Sequence, residues 1–319
     1  MTDPMLCYSI GPLLYCPANN ESIVNSIINE KFAKPFSLAL CLEDTIKDDC
    51  VPIAEDILIR SIHSIYEAHC RNDFYIPKIF IRVRYVSQIK KLLNRLEESR
   101  ALVTGFIFPK FSLDNGEEYI NTITSINEHS TQIFYMMPIL ESPAIIDLRL
   151  RHEILYDLKE KLDTVRDLVL NVRVGGNDLC HAFGFRRHSN ESIHSMKPIS
   201  NIFSDIITVF GMDYVVSGPV WEYYNGEHWK EGLIQELKED RLCGFIGKTV
   251  IHPKQIESVN HAYKVSLADL TDAKAILHWN KDSHTLVSGS SENKRMNEYK
   301  THFNWAQKII MLAQCYGTV

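Results

Sequence analysis

The 319-residue chain lacks the short signatures of several common chemistries. It has no GxSxG elbow, no P-loop, no GxGxxG after an apolar run and no HExxH. Motif support for serine hydrolysis, nucleotide-phosphate binding, dinucleotide redox and zinc proteolysis is therefore missing. An excess of basic residues is missing too: the formal charge of -6 gives no field for a polyanion, so no nucleic-acid partner is expected. The eight cysteines (Cys7, Cys16, Cys41, Cys50, Cys70, Cys180, Cys243, Cys315) form no C-x-x-C pair, and three sit in or beside strand-like runs. That pattern suits buried thiols in a reducing compartment better than disulfides or zinc. Residues 1–16 carry an acid at Asp3 and a Gly11-Pro12 break, without a basic n-region or a long apolar stretch. Neither a signal peptide nor a membrane span is expected, and a cytoplasmic location is.

What the chain does have is a rhythm. Eight short apolar runs end in charged or proline-flanked residues: 9–15 into Cys16-Pro17, 37–42 into Glu43-Asp44, 78–83 with Arg82 and Arg84, and 105–108 into Pro109-Lys110. The others are 132–140 into Glu141, 168–174 into Gly175-Gly176-Asn177-Asp178, 214–216 into Ser217-Gly218-Pro219, and 247–251 into His252-Pro253. Between them lie stretches with i, i+3, i+4 apolar spacing, over 21–32, 53–68, 86–96, 116–126, 145–162, 201–210, 233–242 and 255–264. The runs are continuous and not alternating, as expected of parallel strands covered by helices. Eight strands and intervening helices predict an α/β fold, a (β/α)8 TIM barrel over residues 1–264, with catalytic groups at the strands' C-terminal ends. Residues 265–319 then read as a C-terminal helical lid or oligomerisation arm. In it, 282–294 is Ser/Gly/charge-rich and expected to be mobile, and 296–315 is helical. The polar stretch 186–200 reads as a substrate loop or lid.

Glu141 and Asp178 end consecutive runs and should share one rim. Two converging carboxylates repel unless neutralised, and a hard divalent cation does so; magnesium takes one or two carboxylates plus water and substrate. Asp178 is also compatible with a helix N-cap, and Gly175-Gly176 with a plain strand-to-loop turn as well as with close ligand approach. Glu43 and Asp44 fit either acids around a metal's waters or a surface turn. Arg82 and Arg84, two apart, point to the same side, either into the mouth as clamps for a carboxylate or enolate or out toward the helices. Lys110 adds charge to the mouth or is solvated. Arg186 and Arg187, with His188, fit a substrate phosphate or a solvated charge run. His252 reads as a structural histidine, and Cys180-His181 as too little for a site.

These segments resemble the citrate-lyase β-subunit (HpcH/HpaI aldolase) family, which includes malyl-CoA and citramalyl-CoA lyases. LCLEDTIKDD (40–49), FIRVR (80–84), FIFPK (106–110), PILESP (138–143), VGGNDLCHAFG (174–184) and GFIGKTVIHPKQIESVN (244–260) match its motifs in order. The resemblance implies a magnesium-dependent carbon–carbon bond lyase or aldolase acting on a 2-hydroxy or 2-oxo acid, free or as an acyl-CoA, through an enolate. It implies Mg2+ on Glu141 and Asp178, Arg82 steadying the substrate, and Glu43 and Asp44 flanking the metal. The segment 296–310 resembles the family's lid helix, which puts Glu298 where relatives carry a catalytic aspartate that reaches a neighbouring subunit. A homo-oligomer, trimer or hexamer, is implied with it. Asn177, Arg84, Ser142-Pro143 and Glu298 depart from the family pattern, so the chain resembles a divergent branch like the C–C bond lyases of bacterial tellurium-resistance operons. Two alternatives stay open: the same site acting on a phosphorylated or sugar-derived acid held by Arg186 and Arg187, and a non-catalytic barrel subunit of a biosynthetic complex.

Overall fold

β-Branched and aromatic side chains fit a pleated surface covered on both faces, and each apolar run contributes a strand. The computed structural model describes residues 3–280 and 284–319. Its first eight strands are β1 (Pro12–Pro17), β2 (Ser37–Cys41), β3 (Lys78–Arg82), β4 (Val103–Phe108), β5 (Tyr135–Leu140), β6 (Val172–Val174), β7 (Val216–Ser217) and β8 (Lys248–Val250). They form one parallel sheet in the order β7-β6-β5-β4-β3-β2-β1-β8. A parallel bridge between Gly218 and Lys248 joins its two edges, closing the expected (β/α)8 barrel.

Alternation along the strands separates two apolar layers. Leu14, Leu38, Leu40, Ile79, Ile81, Phe106, Met136 and Leu140 face outward into the layer beneath the helices. Leu13, Ala39, Phe80, Ile107, Met137 and Ile139 fill the barrel interior. Arg82 follows Phe80 by two residues and Glu141 follows Ile139 by two, so both inherit the inward direction. The parity of each strand thus decides what faces the mouth.

The helices follow the expected places, with boundaries shifted by a few residues. Val51–Arg71 buries Leu58, Ile62 and Ile65 against the barrel, each contributing about 1.5–3 kcal/mol by leaving water. The helix expected over 145–162 is divided. A single 3-10 turn, Pro143–Ile146, is capped by Ser142, and the α-helix begins only at Arg151 and runs to Asp163. Asp147 causes the break, because its carboxylate takes the Arg149 N–H at 2.8 Å and starts a new turn.

Beyond the barrel, a helix Leu267–Leu277 precedes an antiparallel hairpin of β9 (Val287–Gly289) and β10 (Met296–Glu298), then a helix Tyr299–Tyr316. The helix expected from 296 therefore begins three residues later, after a strand. Of the stretch expected to be mobile, residues 282 and 283 lie outside the described residues; the rest forms turns and β9. The last helix returns to the N-terminal end of the barrel, where the Tyr316 hydroxyl donates to the Tyr8 carbonyl at 2.9 Å, just ahead of β1. Among the described residues no helix is long and apolar enough to cross a membrane.

Candidate active site

The C-terminal ends of β2 to β6 bring the predicted acids and bases into one cluster. Arg82, 5 % exposed at the end of β3, is the hub. One terminal nitrogen, Nη2, meets Glu43 Oε2 at 2.8 Å, Asp44 Oδ2 at 3.1 Å and Glu141 Oε1 at 3.5 Å. Its guanidinium also lies 5.7 Å from the centre of the Tyr15 ring. Lys110 closes the other side, its Nζ 2.8 Å from Glu43 Oε1 and 3.3 Å from Asp44 Oδ1. Lys110 adopts φ 49°, the left-handed region that a non-glycine residue enters only when its surroundings hold it there. Its backbone N–H donates to Glu141 Oε1 at 2.9 Å, a contact that accompanies this strained turn.

Glu141 is 4 % exposed and shares a hydrogen bond with Asp178, the third residue of the helix Gly176–Phe183. Burial, with a smaller push from the nearby Asp178, raises its carboxyl to about 8 against the opposing pull of Arg82 and the Lys110 N–H. Glu43 and Asp44 titrate as a pair. Burial and the bond to Asp44 push Glu43 up. Burial also works against Asp44, but the bond from Glu43 with Arg82 and Lys110 prevails and holds it at about 2. Lys110 is raised by its bond to Glu43, against burial, with the charges of Glu43 and Asp44 adding to the rise.

Asp44, Arg82, Glu141 and Asp178 line a cavity of about 180 Å³ at the barrel mouth. Gly175 makes the arrangement possible: a Cβ there would stand 2.0 Å from Glu141 Oε2 and 2.3 Å from its Cβ. Only glycine lets β6 pass this close to the carboxylate.

Other expected binders lie elsewhere. Arg84 falls beyond the end of β3, and its guanidinium holds the loop after β2 by the Leu42, Glu43 and Ile46 carbonyls and the Asp48 carboxylate. The shared parity with Arg82 fails because the strand ends between them. Arg187, 1 % exposed, pairs with Glu236 at 3.1 Å and covers the Trp221 ring at 5.1 Å, away from the mouth. Arg186 is exposed, with Glu222 3.6 Å away. Residues 186–196 are not a free flap: the Ile193 N–H donates to Glu236 and His194 bonds Asp240 at 2.7 Å, fixing this loop to the helix Trp229–Cys243. Glu298 stands at the head of the last helix, its N–H on His302 Nδ1, and within one chain it does not join the cluster. His252 accepts the Lys254 N–H in a capping turn and stacks on Tyr224.

The mouth also holds Tyr15, Thr249 and Arg173, which the sequence reading did not single out. The signal for Arg173 was an arginine two residues after Asn171 inside a run whose other members are apolar.

The donor set fits a divalent cation. Four carboxyls (Glu43, Asp44, Glu141, Asp178) face two cations at the rim, Arg82 and Lys110. Glu141 and Asp178 are the two that these cations neutralise least, with Arg82 3.5 Å from Glu141. Among the described residues no group of three or more His, Cys, Asp or Glu could hold a metal. A pair of carboxylates suits magnesium, which keeps water and substrate in most of its positions, better than zinc or calcium.

Residues 4–318 match a family model described as C–C bond lyase of the TIM-barrel fold. No curated protein matches the chain. Among solved structures, the protein CitE of Mycobacterium tuberculosis in complex with magnesium, acetoacetate and coenzyme A is similar over 97 % of this chain and 99 % of its own. The identity is 16 % and the TM-score 0.62. The citrate lyase β subunit of M. tuberculosis complexed with oxaloacetate and magnesium covers 81 % and 98 %, at 18 % identity and TM-score 0.52. RipC of Yersinia pestis covers 83 % and 99 %, at 14 % identity and TM-score 0.54. At these identities the structures establish the shared barrel.

Proposed function

The chain belongs to the C–C bond lyase family of TIM-barrel proteins, and from that premise we propose that it is a magnesium-dependent lyase or aldolase that cleaves or forms a C–C bond in a 2-hydroxy or 2-oxo acid. The observation that carries this reading is the meeting of Glu141 and Asp178 in a cavity beside Arg82, with acids in excess of the rim's cations. Glu141 and Asp178 would hold the ion. When bound, magnesium supplies Lewis-acid polarisation and a template for the acid's oxygens.

The protein's own groups account for the remaining chemistry. Arg82 is fixed by Glu43 and Asp44 on one side and Tyr15 on the other. It needs no reorganisation to face the negative charge that develops as the C–C bond breaks and an enolate forms. A preorganised donor of this type contributes about 3–4 kcal/mol. Lys110 holds Glu43 and Asp44 in place through its ammonium and Glu141 through its N–H. The base that removes the hydroxyl proton is assigned to Glu298 of a neighbouring copy in a homo-oligomer. The M. tuberculosis protein solved with coenzyme A supports a thioester as one form of the substrate.

Calorimetric titration with magnesium, with and without oxalate as enolate mimic, tests the reading. Wild type should bind the ion, oxalate should strengthen binding, and Asp178→Asn should weaken it by about tenfold or more. Absence of heat in both titrations of wild type rejects the metal site. Glu298→Gln should lose turnover while keeping metal and oxalate binding, and light scattering should give a mass above one chain.

A further inference from the structure

Four arginines are buried among the described residues, and three meet a carboxylate. Arg82 meets Glu43 at 2.8 Å, Arg151 meets Asp205 at 2.9 Å and Arg187 meets Glu236 at 3.1 Å. Arg173, 1 % exposed, is the exception. Its guanidinium donates to Asn171 Oδ1 at 3.2 Å and Thr249 Oγ1 at 2.7 Å, and lies beside the Tyr15 phenol. All three partners are neutral. Its Nε is buried with no hydrogen-bond partner, as are those of Arg82 and Arg187, and so is the hydroxyl of Ser217, its register partner on β7; what sets Arg173 apart is the missing carboxylate. A guanidinium has five N–H donors, and an unpaired buried charge costs several kcal/mol. Burial pushes the guanidinium below its ordinary value, yet an arginine stays cationic in a protein, here on the wall of the cavity that holds Arg82, Glu141 and Asp178.

Its depth is fixed by register. Ile139 of β5 pairs with Arg173 of β6, so Arg173 sits two residues, about 7 Å, below Glu141 along the barrel. The rim above is close to balanced once a divalent cation joins Arg82 and Lys110 against the four carboxylates. Arg173 is then the charge left over, on the floor, with its fork and two hydroxyls around it.

We propose that Arg173 binds a second oxyanionic group of the substrate, so that the site takes short acids with two anionic ends, one at the rim and one on the barrel floor. The rim half of this statement rests on the function proposed above; the floor half rests on Arg173 alone. The second group is a carboxylate or a phosphoryl group, since a guanidinium fork suits both.

Four matched probes separate the possibilities: pyruvate, 2-oxobutyrate as a neutral extension, oxaloacetate and phosphonopyruvate. Their affinities would be measured by calorimetry with magnesium and again with EDTA. In wild type, oxaloacetate or phosphonopyruvate should bind at least about tenfold more tightly than 2-oxobutyrate, and whichever is tighter names the second group. Arg173→Met should remove that preference and leave 2-oxobutyrate binding within about twofold. Arg173→Lys, which keeps the charge and loses the fork, should retain part of it. Equal affinities in wild type, or a preference that survives Arg173→Met, overturn the inference. A crystal structure of wild type with the tighter dianion supplies a check that needs no variant: its second anionic group should lie within hydrogen-bond distance of Arg173, and placement on Arg186 or Lys110 overturns the inference. Binding unchanged by EDTA, with an Arg173-dependent preference, would reject the metal reading and leave the floor site standing. No binding of any probe in either condition rejects both.

Discussion

Two of the charge clusters on this barrel are built on opposite plans. The one outside the barrel wall joins Lys248 of β8 to Glu236 at 2.9 Å and Asp240 at 2.7 Å, with Arg187 and His194 completing the set. Its Lys248, Glu236 and Asp240 are fully buried, and every carboxylate has a cation. The cluster in the mouth has four carboxyls around Arg82 and Lys110, opens into a cavity, and drives one carboxyl up to about 8. A balanced, sealed network stabilises and orients; an unbalanced one beside a cavity is completed by something that binds. Local composition did not distinguish them, since both contain Glu, Asp, Lys and Arg.

The comparison is broken most forcefully at Lys248. Lys248→Met strands Glu236 and Asp240 without their shared cation, and urea denaturation should show a loss of about 3–5 kcal/mol. Magnesium and oxalate binding by the folded fraction should not change. A large drop in metal affinity with little loss of stability would reverse the roles assigned to the two clusters.

A pH series probes the same wall cluster. Burial works against the charged form of His194, but its bond to Asp240 prevails and lifts it to about 9, with a bond to Cys243 adding to the rise and Lys248 opposing it. The rings of Phe203 and Phe245 face it from the other sides. Because the folded value is raised, the stabilisation is complete below the unfolded value near 6.5 and disappears as pH rises through about 9. It amounts to no more than about 3 kcal/mol. Denaturation midpoints should fall across that window in wild type and stay flatter in His194→Gln.

In the mouth, Gly175→Ala forces Glu141 aside, because the new Cβ would overlap its carboxylate. Magnesium affinity should fall about tenfold or more, read by calorimetry, and urea denaturation should show a loss of about 1–3 kcal/mol from the overpacking. The smallest effect carries the most telling sign. Glu141→Gln removes a buried carboxylate from an acid-rich cluster and should stabilise the metal-free protein by about 1 kcal/mol. Glu236→Gln, in the balanced cluster, should destabilise it. Equal signs for the two substitutions would erase the distinction.

The fold was legible because its information is local. Continuous apolar runs of strand length, each followed by an amphipathic stretch, leave few arrangements other than a parallel barrel. Arg82, Lys110, Glu141 and Asp178 were legible for the same reason, each standing at or just beyond the end of such a run. Arg84 was misplaced by the point at which β3 stops. Arg187 was misplaced because a polar loop with no period gives no sign of what it packs against. Arg173 passed unnoticed inside its strand, since neither its inward direction nor its lack of a carboxylate is visible before neighbouring strands are in register.

The sequence by itself therefore determined the barrel, the rim on which the chemistry stands and the residue types gathered there, because strand ends and side-chain alternation are properties of contiguous residues. Only the tertiary structure decided which buried charges are answered by a partner and which are not. Pairing depends on distances between β5, β6, β8 and the helix Trp229–Cys243, segments far apart in the chain that are brought together only when the barrel closes.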